Sequence, residues 1–325
     1  MDIKPKFRCS IFMRQHSLNI FSNYLNIYSV LKKGDFVPYI PGYKCSKQKA
    51  KSNYSIIFIQ TKTFSAQLSH DFKTLTISGS IEDITKGRTI PYMAHYLLER
   101  PRQYTAQLTT QGAAVSYNNN AVVLLGKRGS GKSNITLELC RKHGYSLIGN
   151  DILLMGLANN QGIVYDGTKN FVLRLSSIKH YNTDLTKYFT QTNLKDAWIT
   201  KTSIPHEKIN VKTQSKPAVI KKCFYVHLEN NPNTPLLVKK IDHRDSLYMG
   251  RLYLYETFSR YIRGVCIPIL KGEKPELSSY LPSLDDQICH DNRLNLINWL
   301  MDDLGFYYIS GSMDVICRYI NSKIK

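Results

Sequence analysis

The sequence contains no CxxC pair. Its seven cysteines, at 9, 45, 140, 223, 266, 289 and 317, are scattered with no companion histidine at zinc-binding spacing. A structural zinc site is therefore not expected, and the odd count speaks against a disulfide framework, so reduced thiols in a cytoplasmic compartment are expected. No apolar run approaches the roughly 18 residues that span a bilayer, and no transmembrane segment is expected. The N-terminus, MDIKPKFRCSIFMRQHSLNIF, starts basic but breaks its apolar stretch with Arg14, Gln15, His16 and Asn19, which is not the pattern of a secretory signal. His206, His227, His243 and His290 form no Glu-x-x-His or His-x-x-x-His pair, and there is no Gly-x-Ser-x-Gly elbow. Internal repeats and low-complexity linkers are also missing.

Negative charge is in short supply: 24 Asp and Glu stand against 44 Lys and Arg, a net charge of +20. The excess is uneven, with +10 in residues 1–105, +12 in 106–266 and −2 in 267–325. One bound nucleotide does not need that much positive charge, so the surplus fits either a solvated basic surface or an acidic partner, a nucleic acid or an anionic membrane surface. The 42% of hydrophobic residues are enough for a sizeable core.

Residues 53–81 alternate apolar and polar side chains around Ser69-His70-Asp71, which predicts a β-hairpin or short meander. Lys44 to Lys51 (KCSKQKAK) reads as an exposed basic loop, and Ile90 to Leu108 as a short helix broken at Pro101. From Ala113, AAVSY, an Asn118-Asn119-Asn120 turn and AVVLLG predict a hairpin whose second strand runs into a glycine-rich loop.

That loop carries the chemistry. Gly126-Lys127-Arg128-Gly129-Ser130-Gly131-Lys132-Ser133 satisfies G-x-x-x-x-G-K-[ST], with a strand before it and the helical pattern Asn134 to His143, stopped at Gly144, after it. The glycines let backbone N–H groups point at phosphates, and the helix N-terminus adds its positive dipole end. Lys132 is expected on the β- and γ-phosphates and the Ser133 hydroxyl on Mg²⁺, so the implied ligands are ATP or GTP with Mg²⁺. Asn134 completes the nucleotide-binding set. The strand Tyr145 to Leu154 brings Asp151 within 18 residues of Ser133, where its carboxylate can act as general base, hold the metal through water, or simply cap a turn. The many tyrosines, including Tyr248 to Tyr255, are expected mainly in the core.

GKRGSGKSNITLELCRKHGYSLIGND resembles the phosphate-loop region of HPr kinase/phosphorylase and its kin, which include phosphoenolpyruvate carboxykinase. The resemblance covers roughly residues 105–180 and continues more loosely through Lys208 to Leu228. It implies an α/β fold with an α+β tendency, built on an HPr-kinase-like P-loop core with a mixed sheet. It also implies that Asp151 activates an acceptor hydroxyl and that Arg174 stabilises the transferring phosphoryl group; as a bland alternative, Arg174 is a surface arginine. Three positions depart from the family pattern: Asn150 replaces the first acid of an Asp-Asp pair, Gln111 replaces a histidine, and Phe171-Val172-Leu173-Arg174-Leu175 holds no second metal-binding glutamate. Lys208, Lys212 and Lys216 are candidates for a flexible basic loop. The domain organisation expected is a basic, β-rich module over 1–104, the phosphate-loop domain over 105–266 and a mainly helical extension over 267–325. The function expected is a Mg²⁺-dependent kinase acting on a hydroxyl of a peptide, protein or small molecule, including acidic ones. The alternatives are a nucleotide-gated regulator without catalysis and a nucleic-acid-associated phosphotransferase. The resemblance leaves room for a homo-oligomer.

Overall fold

Period-two alternation in the first third of the chain builds a sheet with one buried face. The computed structural model describes residues 4–33, 39–82, 89–189, 197, 199–242, 250–264 and 281–325. The protein is mixed α/β and divides into two compact units. Met1–Thr109 and Phe258–Arg293 form the first, and Thr110–Thr257 and Leu294–Lys325 the second.

The first unit holds β1 (Lys6–Met13), β2 (His16–Ser22), β3 (Tyr43–Ser46), β4 (Ser55–Gln60), β5 (Ser65–Leu68) and β6 (Thr74–Gly79), in the order β3-β1-β2-β4-β6-β5. Cys9, Ile11, Met13, Leu18, Ile20, Ile56, Phe58, Leu75 and Ile77 face one core with the helices Ile27–Lys33 and Thr89–Leu97. The turn at Ser69 to Asp71 joins β5 to β6 antiparallel, as the alternation predicts. A simple meander is not formed: β4 runs parallel to β6, placing Ser55 opposite Thr74, so β4 and β5 are not neighbours. Two local expectations also change. Tyr43–Ser46 is an edge strand and not loop, because the buried Tyr43 anchors it by donating from Oη to the Leu31 carbonyl at 2.9 Å. Pro101 lies in the first turn of a second helix, Glu99–Tyr104, where a missing N–H breaks no hydrogen bond, so it does not end a helix there.

That second helix carries a buried ion pair. Glu99 and Arg102 are 0% and 1% exposed and 3.2 Å apart. The carboxylate also accepts from Gln103 Nε2 at 3.0 Å, the Thr109 amide at 2.8 Å and the Thr109 hydroxyl at 2.6 Å. Such a charge is tolerated inside only while every lone pair is occupied. Glu99→Gln and Glu99→Ala are expected to lower unfolding stability by about 3 kcal/mol or more by stranding Arg102. Urea denaturation of the full chain measures this.

The second unit contains β7 (Gln107–Tyr117) from Thr110 onward, β8 (Asn120–Leu125), β9 (Ser146–Ala158), β10 (Gln161–Gly167), β11 (Asn170–Arg174), β12 (Lys201–Pro205), β13 (Ala218–Leu228), β14 (Leu237–Lys240) and β15 (Phe306–Gly311). The main sheet runs β10-β9-β7-β8-β13-β15-β14, and β11 pairs with β12 alone. The predicted hairpin is β7–β8. Asn118 and Asn119 adopt φ of 47° and 68°, the pair of left-handed residues that a type I′ turn requires. The C-terminal stretch is helical at Gln287–Asn298 and Met313–Ile324, but Phe306–Gly311 supplies a sheet strand parallel to β13. Its Phe306 and Ile309 are apolar and fully buried, which the sheet core satisfies. Among the described residues no helix is long and apolar enough to cross a membrane.

Candidate functional site

β8 ends at Leu125, the glycine-rich loop follows, and the helix Lys132–Lys142 begins at once, its Ile135 and Leu139 in the core. The helix stops where Gly144 takes φ 77°. The loop is pressed onto the end of β13, which runs parallel to β8 with Tyr225 opposite Leu125. Leu228 donates its amide to the Ser130 carbonyl at 3.0 Å. A Cβ on Gly131 (φ 90°) would lie 2.2 Å from Leu228 Cβ, and one on Gly126 (φ 144°) would lie 2.6 Å from Ser130 Oγ. At Gly129 (φ 89°) nothing stands within 4 Å of the same point, so the loop is tight against the protein at both ends and open in its middle. Ser130 Oγ is buried with no hydrogen-bond partner.

Lys132 reaches back over the loop, its ammonium donating to the Gly126 carbonyl at 2.7 Å and the Lys127 carbonyl at 2.9 Å. Burial pushes its pKa down to about 8, and the Asp151 carboxylate opposes that shift. Two tyrosines brace the loop's start. Gly126 N–H donates to Tyr253 Oη at 2.8 Å, and the Tyr225 phenol hydrogen-bonds the backbone of Lys127. The two rings meet edge-on at 5.0 Å. Burial raises the Tyr253 pKa to about 12, so it stays a neutral phenol.

Asp151 sits in a bulge of β9. Asn150 N–H donates to the Thr168 carbonyl at 2.8 Å and Thr168 N–H to the Ile152 carbonyl at 3.0 Å, so on the side of β10 the pairing passes over residue 151. It is exposed and takes φ 89°, a conformation natural to glycine and strained for a side-chain-bearing residue. Gly149 permits the bulge: a Cβ there would lie 2.4 Å from Gly167 Cα. Gln111 Nε2 lies 3.4 Å from Asp151 Oδ1. Asn150, by contrast, is buried at 1% exposure, its amide nitrogen 3.4 Å from the Asn170 carbonyl.

The other expected residues are placed as follows. Lys127, Arg128 and Gly129 are exposed, Ser133 is half-buried in the helix's first turn, and Asn134 is buried there at 6% exposure. Arg174 ends β11, half-buried, directly opposite Lys201 at the start of β12. Lys201 feels Arg128, Arg174 and Asp151 electrostatically. Its neighbourhood and the two bracing tyrosines were not visible in the sequence, because no spacing rule links residues 201, 225 and 253 to residue 126. The 208–216 segment is not a free loop: Leu147 N–H donates to the Lys212 carbonyl at 2.8 Å and Gln214 N–H to the Leu147 carbonyl at 2.9 Å. Of the tyrosine-rich run, 248 and 249 lie outside the described residues, whereas Tyr253 braces the loop and is not simply core. Among the described residues no three His, Cys, Asp or Glu side chains converge as a metal site.

The arrangement is that of a mixed α/β protein with a glycine-rich loop between a strand and a helix, a lysine laid across the loop and a carboxylate in that lysine's field. No protein-family model matches the chain. No curated protein matches it either. Among solved structures, the Hpr(Ser) kinase/phosphatase from Coxiella burnetii is similar at 16% identity over 40% of this chain and 76% of that chain, with a TM-score of 0.23. A superposition that loose bears no argument for fold or activity.

Two substitutions read the local strain. Gly131→Ala is expected to lose about 3 kcal/mol, from the left-handed backbone and the clash with Leu228. Asp151→Gly is expected to be more stable than Asp151→Ala by about 1 kcal/mol, since only glycine relieves φ 89°. Paired denaturation curves decide both.

Proposed function

We propose that the protein is a Mg²⁺-dependent phosphotransferase that moves the γ-phosphate of ATP or GTP to a hydroxyl acceptor. The observation that carries this reading is the pairing of Lys132, poised across a loop with an open centre, with an exposed carboxylate, Asp151, close enough to influence its titration. Loop amides and the ammonium of Lys132 bind the phosphates, which favours residues 126–134 as the nucleotide site. The open middle of the loop at Gly129 suits the close approach of an anion to the backbone. Mg²⁺, held by the phosphates with Ser133 and Asp151, would neutralise charge on the β- and γ-oxygens.

In the transfer step the acceptor oxygen attacks the γ-phosphorus, the bond to the bridging oxygen breaks, and the nucleoside diphosphate leaves. The hydroxyl proton passes to the Asp151 carboxylate. Arg174 adds positive charge for the equatorial oxygens. The strained backbone at Asp151 supports the role, because strain of this kind persists where placing a side chain outweighs its cost. A nucleotide-gated regulator is the second reading, favoured by the buried amide at Asn150 and by Gln111 beside Asp151.

Asp151→Asn is expected to lower acceptor-dependent nucleoside diphosphate release at least about 100-fold while leaving nucleotide affinity within about threefold. Lys132→Ala should lose both. Full turnover by Asp151→Asn would remove the base assignment, and nucleotide binding without transfer to any acceptor would favour the regulator.

The pH dependence follows from Lys132. Its folded pKa of about 8 lies below the ordinary 10.5, so between those values the unfolded chain binds more protons and stability of the free protein rises with pH. Nucleotide binding favours the charged ammonium, so affinity should fall about tenfold per pH unit above that folded value. Titration calorimetry in buffers of different ionisation enthalpy should detect proton uptake on binding, which Lys132→Met abolishes.

A further inference from the structure

The sheet of the first unit has a second face, and its make-up is unusual. Direct pairings place Phe7 opposite Phe21, Phe21 opposite Ile57, Ile57 opposite Thr76 and Thr76 opposite Gln67, so these side chains form one row across β1, β2, β4, β6 and β5. The row alternates with Ile20, Ile56, Phe58, Leu75 and Ile77, which face the core, and therefore lies on the other side. A sheet with one buried face ordinarily turns polar residues outward. Here Phe7, Phe21 and Ile57 are half-buried on the outer side and outside both hydrophobic cores. The two rings meet edge-on, 6.1 Å apart. The exposed Lys49 holds its ammonium 5.9 Å from the centre of the Phe21 ring, and the exposed Lys44 lies opposite Phe12 further along the same face. Residues 4–33 and 39–70 hold 11 Lys and Arg and no Asp or Glu, so cations alone surround the rings from these segments.

We propose that this outer face binds single-stranded nucleic acid, with bases stacking on Phe7 and Phe21 and phosphates meeting Lys44, Lys49 and the lysines around them. The inference goes beyond the phosphotransferase reading and does not depend on it, because the face lies in the first unit and the glycine-rich loop in the second. A ring that the Lys49 ammonium reaches is a ring that a base can reach, and the ammonium then turns to a phosphate. Ser55, Thr74, Thr76 and Gln67 share the face and supply hydroxyl and amide groups for base edges. An anionic bilayer would also draw the lysines, but its hydrocarbon would strip those polar groups of hydrogen bonds, so a nucleic acid is the better fit. A duplex hides the faces of its bases, which selects a single strand.

Fluorescence anisotropy of the full chain with a labelled oligouridylate of about 20 nucleotides, long enough to cross one such surface, tests this. Binding is expected at about 50 mM salt and should weaken about 50-fold by about 200 mM, as about four phosphate contacts at about −0.7 each in the logarithmic slope require. The same strand annealed to its complement should bind about fivefold more weakly or worse. Phe21→Leu keeps an apolar side chain and should cost about fivefold or more in affinity with the salt slope unchanged. Lys44→Gln combined with Lys49→Gln should make the slope shallower by about 1.4. Both lysines are exposed, so the double variant decides the matter if Phe21→Leu lowers the thermal midpoint. Lys323→Gln, in the second unit, should change neither affinity nor slope. Absence of binding at about 50 mM salt, equal affinity for the duplex, or affinity and slope unmoved in the Phe21 and lysine variants would overturn the assignment. So would displacement of the strand by saturating ATP and Mg²⁺, which places it on the glycine-rich loop, or binding to phosphatidylserine vesicles in place of the strand. Failure of the chain to bind ATP removes the phosphotransferase reading and leaves this one standing.

Discussion

Gly131 passes so close to Leu228 that a single methyl group on it would lie 2.2 Å from the leucine's Cβ. That contact lets the loop lie flat on the end of β13, where Leu228 N–H holds the Ser130 carbonyl and the Tyr225 phenol holds the backbone of Lys127. With Tyr253 on the Gly126 amide, the loop is tied at both ends. Preorganised backbone amides need little rearrangement to meet an anion, which gives such a loop its value. Lys132 then closes the ring by bonding two loop carbonyls.

The second element of the site is built on a fault in a strand. Thr168 bonds to both Asn150 and Ile152, so the pairing passes over Asp151, which takes φ 89° within the strand. A bulge re-aims one side chain without disturbing the rest of the sheet. The core beneath it is continuous, with Leu153, Leu154 and Met155 buried on one side and Leu147 and Ile148 on the other. Asp151 is thereby exposed, and its charge acts on Lys132 and on Lys201.

The hairpin β7–β8, the loop and the helix after it were legible because each depends on neighbours in sequence. Asn118-Asn119 supports φ above zero at two successive residues, and Gly144 takes the left-handed position that stops the helix. The parallel pairing of β4 with β6 was not legible, since alternation marks a strand's buried face but not which strand lies beside it. Pro101 likewise reads as a break unless the helix start at Glu99 is known. Lysines 208 to 216 read as a mobile loop because nothing local reveals that Leu147 pins them.

By itself the sequence determined the glycine-rich G-x-x-x-x-G-K-[ST] motif, its flanking strand and helix, the position of Asp151 shortly after them and the basic excess of the chain. Those are short-range properties, set by backbone freedom at glycine, by side-chain periodicity and by composition. Only the tertiary structure decided that the pairing of β9 passes over Asp151, that Tyr225 and Tyr253 tether the loop and that Lys201 lies opposite Arg174. Each of these joins residues that are distant in the chain, and their meeting follows from which strands pair and in what register.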